Sequence, residues 1–268
     1  ICIFLFANGI PAMGKIGLGK FLGGQVWKPG NDKYGIFPMI IGSIYVTAGA
    51  IIFGVPIGIL TSVFMAMYCP KKIYRPLKAA TELLAGIPSV VYGFFGMVIV
   101  VPIIRDFGRT LKMMGLVEKS GDGKGILTTS IVLGMMILPT IIGTTESAMR
   151  AVPPQYYEGS LALGATQERS IFKVVIPAAK SGVITGIVLG IGRAIGETMA
   201  VVMVAGNQAI IPDGMFSGVR TLTSNIVLEM GYATDLHREA LIATAVVLFV
   251  FILMINLCFA VLKSKEEH

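Results

Sequence analysis

The sequence predicts an all-α membrane protein of about six transmembrane helices, the first represented only by its end. Three observations carry that prediction. Of 268 residues, 54% are hydrophobic and only 14% charged, where a soluble domain carries about 25% charged residues. Charge-free apolar windows long enough to cross a bilayer recur along the chain. Proline and glycine stand inside those windows, which a soluble helix tolerates poorly and a membrane bundle accepts, because neighbouring helices re-satisfy the freed carbonyls.

Residues 1–14 are apolar but too short to span, and Ile1 is not a starter methionine. They are expected to be the end of a first transmembrane helix whose beginning is missing, followed by an outer loop at 15–33. The membrane core is then expected over 34–268. No charge occurs between Lys33 and Lys71, and Gly54 with Pro56 is expected to kink that helix. Glu82 to Arg105, Lys124 to Glu146 and Glu239 to Lys263 bound further windows. Another, Ser181 to about Ala205, is interrupted by Arg193 and Glu197. Gly182, Gly186 and Gly190 form a small-residue stripe along that helix, suited to close approach of another helix. Packing within the chain and packing against a partner both remain open at this stage.

The net charge of +7 does not indicate nucleic acid, because the basic residues lie in short clusters between apolar runs rather than in a stripe with exposed aromatics. Cys2, Cys69 and Cys258 show no CxxC spacing and form no even set, so neither a disulfide framework nor a metal site is expected. His237 and His268 read as solvated residues without a ligand partner. Gly9 to Lys15 imitates a phosphate-binding P-loop, but Ile16 replaces the hydroxyl residue that would hold magnesium and no strand precedes it. No nucleophile with a base and an orienting group is visible, which speaks against a membrane enzyme. A self-contained secondary transporter, which would move substrate without an ATPase, stays open as a less favoured alternative, since such proteins usually show an internal repeat and none is found.

Loops 69–82 and 150–180 and the tail are placed inside, with 15–33, 105–124 and 207–238 outside. Lys and Arg number ten inside and eleven outside. The dense set Lys71, Lys72, Arg75 and Lys78 on one short loop decides the orientation.

The 150–180 segment reads as structured. Pro153 and Pro154 suit a helix start, Gln155 to Leu163 can form two turns, Gly164 can end them, and Thr166 can cap a following turn ending before Pro177. Its acidic, glycine-punctuated helix suits a soluble partner better than lipid, although Tyr156, Tyr157, Leu161 and Leu163 offer an apolar side. Glu158, Gly159, Ser160, Gly164 and Val174 to Pro177 resemble the coupling-loop motif of ABC importer permeases, E-A-A-x3-G-x9-I-x-L-P, with the two alanines and the residues before the proline replaced. Glu82 to Gly93 (ELLAGIPSVVYG), Ala151 to Pro153, Leu161 to Ala165 and Gly192 to Ala200 (GRAIGETMA) are similar to the phosphate-specific permeases PstC and PstA. The TMA ending, and Trp27 with Pro29, look more like PstC.

That resemblance implies a MetI-like type I importer permease fold and a transport subunit without its own ATP site, in the inner membrane. It implies a related second permease, two nucleotide-binding subunits that carry ATP and magnesium, and a phosphate-binding protein outside. Gln155, Tyr157, Glu158, Gly159, Ser160, Leu163, Gly164, Ala165 and Pro177 are the expected ATPase-coupling residues. Arg193 and Glu197 are the expected substrate-pathway residues. A charged residue at mid-membrane costs about 2.5 to 3.5 kcal/mol on insertion scales, so it faces a cavity or a partner. Four residues apart on one helix, the two are expected to neutralise each other, and the guanidinium to offer paired donors to an oxyanion. A helix-ordering ion pair is the plainer account. A permease for molybdate or sulfate is the alternative substrate reading. Glu82 after Lys78, and Glu146 before Arg150, read as ordinary i,i+4 surface pairs.

Overall fold

A computed structural model describes residues 2–264; His268 lies outside them. Helix α1 (Cys2–Ile16) and the short α2 (Leu18–Gly23) lead into an antiparallel pair of two-residue strands, β1 (Trp27–Lys28) and β2 (Lys33–Tyr34), with Trp27 opposite Tyr34. Gly9 to Lys15 lie inside α1, and a side chain at Gly9 would collide with Val246 at 2.6 Å. The P-loop likeness is therefore a stretch of packed helix.

Helix α3 (Phe37–Val63) runs unbroken through Pro56 and continues as a π-helical turn, Phe64–Tyr68. Amphipathic α4 (Lys71–Gly86) follows and buries no residue. The chain is then extended at Ile87 and Pro88 before α5 (Ser89–Phe95), a π-helical turn Gly96–Val100, and α6 (Val101–Met113). The expected window from Glu82 to Arg105 is thus two objects, a surface helix and a span beginning at Ser89. The reason is local: the residue before a proline is driven from the helical region, and hydropathy averaged over a window does not register that break.

Helix α7 (Ile126–Arg150) is the most buried span. Past it come α8 (Pro154–Ala162), α9 (Gln167–Ser170), a π-helical turn Ile171–Val175 and α10 (Ile176–Ala178). Helices α11 (Lys180–Gly196) and α12 (Met199–Val204), then α13 (Leu222–Met230) and α14 (Asp235–Ser264), complete the chain. Among the described residues four helices are long and apolar enough to cross a membrane, Phe37–Tyr68, Ser89–Met113, Ile126–Arg150 and Asp235–Val261. A fifth span arises if Gln167–Ala178 and Lys180–Gly196, bent by 71°, are taken together.

Helices α3 and α7 form the central pair. Gly49, Gly54 and Gly58 of α3 meet Ser130, Ile137 and Ile141 of α7, each closer than a β-carbon would permit. The glycine stripe of α11 packs on the same helix: a β-carbon on Gly182 would lie 2.2 Å from that of Ala148, and those on Gly186 and Gly190 3.2 Å from Thr144 and Ile141. The stripe therefore serves packing within the chain. Three apolar clusters result: a central one from α3, α5, α7 and α12; one joining α1, α14 and Trp27; and one uniting Val63, Met149, Ile171, Val175 and Val183 around the coupling segment.

Candidate functional site

The expected pair, Arg193 and Glu197, sits where the backbone breaks. Helix α11 ends at Gly196, and Glu197 is extended at φ −69°, ψ 136°. Its carboxylate turns away to accept a 3.1 Å hydrogen bond from the Ala200 amide in the first turn of α12. A carboxylate is favoured at a helix N-terminus and a cation at a C-terminus, so Glu197 caps α12 while Arg193 stands, without bonding to it, at the end of α11 that suits its charge. The expected Arg193–Glu197 ion pair is consequently not formed. The i,i+4 rule presumes a continuous helix, and the helix stops one residue short of the acid. Among the described residues Arg193, which is half-buried, has no hydrogen bond and no ion pair.

Two motifs meet here. Gly93 lets α5 approach α12: a β-carbon there would lie 2.7 Å from Met203 Sδ and 2.9 Å from Ala200 Cα. Tyr92, within electrostatic range of Arg193, donates to the Leu84 carbonyl at 2.9 Å, spanning the Pro88 break. From the other side Thr223 donates to the Glu197 carbonyl at 2.9 Å, and Ser43 accepts from the Leu222 amide at 3.0 Å. The broken helix is thus held by α5, α12 and the start of α13, and its guanidinium stays unclaimed.

The 150–180 segment forms as expected at its start, with Pro153 and Pro154 opening α8 and Gly164, at φ +83°, closing the turn. A left-handed backbone favours glycine because it has no β-carbon to clash. Thr166 caps α9 by accepting from the Arg169 amide at 3.3 Å. The following helix does not end before Pro177 but carries it at the start of α10, where a missing N–H costs nothing. Tyr157 packs on the inner apolar cluster, and Ser160 shares a 2.8 Å hydrogen bond with Ser170; Ala165 is half-buried. Gln155, Glu158, Gly159, Gly164 and Pro177 are exposed, and Leu163 is 91% exposed. The segment therefore presents outward a glycine-bearing face that mixes Gln155 and Glu158 with Tyr156 and Leu163, and anchors itself through the other.

Two charge clusters escape sequence reasoning. Glu146, 1% exposed, accepts from Tyr74 Oη at 2.6 Å, Lys78 Nζ at 2.9 Å and Arg150 Nε at 2.7 Å. The expected Glu146–Arg150 pair forms, but its carboxylate is a buried junction between α4 and α7 instead of a surface group, and Lys78 is committed to it, not to Glu82. The hydrogen bond to Glu146 raises the Lys78 ammonium above its ordinary pKa against the opposing effect of burial. At the other end Glu229 joins Trp27 Nε1 at 2.8 Å, Arg220 Nη1 at 2.6 Å and His237 Nε2 at 2.8 Å. His237 is thus enclosed beside Trp27, Tyr34 and Tyr232 instead of solvated. Spacing along the chain signalled only the Arg150–Glu146 contact, four residues apart; Tyr74, Lys78 and Trp27 come from distant segments, and Arg220 and His237 lie nine and eight positions from Glu229, beyond one helical turn.

Residues 54–267 match the family model of the binding-protein-dependent transport system inner membrane component. Over its whole length the chain is 38% identical to a probable ABC transporter permease protein, YqgH, of Bacillus subtilis, covering 85% of that protein. It is 35% identical to the phosphate transport system permease protein PstC of Mesorhizobium japonicum over 95% of this chain and 81% of that one. For the probable PstC of Methanocaldococcus jannaschii the figures are 32%, 99% and 88%. A structure of the MetNI methionine ABC transporter in an inward facing conformation aligns with a TM-score of 0.64 at 18% identity, covering 90% of this chain and 99% of that one. A bacterial ABC transporter importing alginate aligns at 0.58 and 16%, covering 97% and 92%. The fold is that of ABC permeases, and with four-fifths of its length under the family model the chain belongs to the inner membrane components of binding-protein-dependent transport systems, where it is similar to the PstC permeases.

Proposed function

We propose that this chain is the membrane-spanning permease subunit of an ATP-driven importer of inorganic phosphate, forming half of the translocation pathway in the cytoplasmic membrane. Its PstC-named relatives support the substrate, and one observation carries the mechanism: Arg193 stands at the end of a broken helix with no carboxylate partner among the described residues. Discontinuous membrane helices are a recurring way to place charge and helix ends at a transport site. A planar, permanently charged guanidinium offers paired donors to a tetrahedral oxyanion, and Glu197 keeps the break shaped by capping α12.

A second, PstA-like permease completes the pathway. Two nucleotide-binding subunits hold ATP and magnesium, this chain binding no cofactor itself, and a phosphate-binding protein delivers solute from outside. The exposed face of α8 and Gly164 docks into a cleft on one nucleotide-binding subunit. When those subunits close, the coupling segment moves with them and the helices around Arg193 exchange one access for the other.

Uptake of radiolabelled phosphate by vesicles holding the complete complex tests the reading. Arg193→Gln removes charge-assisted hydrogen bonds worth roughly 1.5–3 kcal/mol, so uptake should fall about ten- to hundredfold. Glu197→Gln retains an acceptor for the Ala200 amide and should lose less. Normal uptake by both variants, with assembly verified separately, removes the proposal. Stronger competition by sulfate or molybdate than by phosphate would reassign the substrate.

A further inference from the structure

Helix α4 buries no residue of its own, yet a buried carboxylate on another helix holds two of its side chains. Glu146 takes Tyr74 and Lys78 from α4, and Arg150 from one turn further along α7. Arg150 does more. Its Nη2 donates at 2.8 Å to the Met65 carbonyl, in the π-helical turn that closes α3, and its guanidinium lies over the Tyr74 ring at 4.4 Å. Only residues 151–153 separate Arg150 from α8, and Met149, Val152 and Tyr157 share one apolar cluster with the rest of the coupling segment.

On the far side, α4 runs into the extended Ile87–Pro88 break; Tyr92 beyond it reaches back to the Leu84 carbonyl, and its neighbour Gly93 packs on Ala200, whose amide Glu197 caps just past the end of α11. A continuous physical connection therefore runs from α8 through Arg150 and Glu146 to α4, across Pro88, to the neighbourhood of Arg193. A buried ion cluster is weak evidence of stability, since apolar packing of equal volume does as well or better. Its hydrogen bonds are directional and short-ranged, so such a junction is either made or broken. That property suits a part that must move as a unit with another.

We propose that Glu146 is a positioning residue that hands displacement of the coupling segment to α4, and through the Pro88 break to the helices around Arg193. This inference rests on the permease reading above, and demonstrated coupling, not proximity, is its proof.

The experiment uses the complete transporter in nanodiscs, with Cys2, Cys69 and Cys258 and the partners' cysteines replaced by serine. Spin labels are placed at two exposed positions, Leu83 on α4 and Arg169 on α9. Pulsed electron paramagnetic resonance then compares the nucleotide-free and ATP-trapped states. With the junction intact, α4 travels with the coupling segment and the distance should stay within about 2 Å, the scale of one helix shift. Tyr74→Phe with Lys78→Met withdraws the α4 donors but keeps Arg150 on Glu146, and the distance should then change by more than that. A native chain whose distance changes, or a double variant whose distance does not, overturns the proposal.

A second measurement covers poor assembly of the double variant. Phosphate transported per ATP hydrolysed should fall about tenfold in Glu146→Gln, within the usual range of coupling between sites, and Glu146→Asp should recover part of it. An unchanged ratio in Glu146→Gln overturns the proposal. Gly164→Val serves as reference. If it uncouples and Glu146→Gln does not, the Glu146 inference alone fails; if neither uncouples, the coupling-segment reading fails with it.

Discussion

At the scale of single residues, the structure separates charges that belong to the fold from one that does not. Glu229 is 7% exposed and fully engaged. Burial raises its carboxyl pKa, but the hydrogen bonds from Trp27, His237 and Arg220 outweigh that and hold it below the ordinary 4.5. A group with a depressed folded pKa stabilises the protein above its unfolded pKa and loses that contribution as pH falls through the folded value. The unfolding temperature in detergent should therefore drop below about pH 4.5. Glu229→Gln should flatten that decline and cost about 3 kcal/mol at neutral pH, since it breaks a buried pair. A variant that keeps the native acid profile would show that another carboxylate governs it. Arg193 has no such structural employment, which is why its substitution belongs to transport assays and that of Glu229 to stability assays.

Among the helices, glycine decides which surfaces meet. Gly182 has the Ala148 β-carbon where its own would stand, 2.2 Å away, whereas Gly192 on the same helix has nothing within 4 Å. Gly182→Leu should force α11 from α7 and cost about 1–3 kcal/mol, the usual penalty of overpacking. Gly192→Ala should be neutral or slightly stabilising for the isolated subunit, because alanine is the better helix former. Thermal unfolding of the two purified variants compares them directly, and equal loss from both would disprove the assigned packing face. The stripe was legible in the sequence as a pattern of period four. Its partner was not, because any neighbouring helix satisfies such a pattern equally.

For the whole molecule, the proposed function requires the 150–180 segment and the break at Arg193, which lie on different helices, to move together. The coupling segment exposes Leu163 and Gly164 and anchors through Tyr157 and Ser160. Gly164 holds φ +83° with open space around it. Gly164→Val faces a left-handed penalty of about 1–2 kcal/mol and places a branched side chain on the docking face. Insertion and folding should survive, while ATP hydrolysis in the complex should no longer drive uptake. Retained coupling in reconstituted vesicles would count against the docking role.

Local chemistry determined much of this protein. Charge-free stretches specified α3, α7 and α14 because the bilayer leaves a backbone no alternative to helix, and proline, glycine and threonine specified the ends of α8 and α9. The same reasoning located Arg193 and Glu197 by residue type alone. Only the tertiary structure decided that these two do not pair, since the break between their helices depends on what α5, α12 and α13 pack against. It alone joined Lys78 to Glu146 across 68 positions and Trp27 to Glu229 across 202. Hydropathy and turn propensity act over a few neighbouring residues, whereas a hydrogen bond between distant segments exists only once the chain has brought them within about 3 Å.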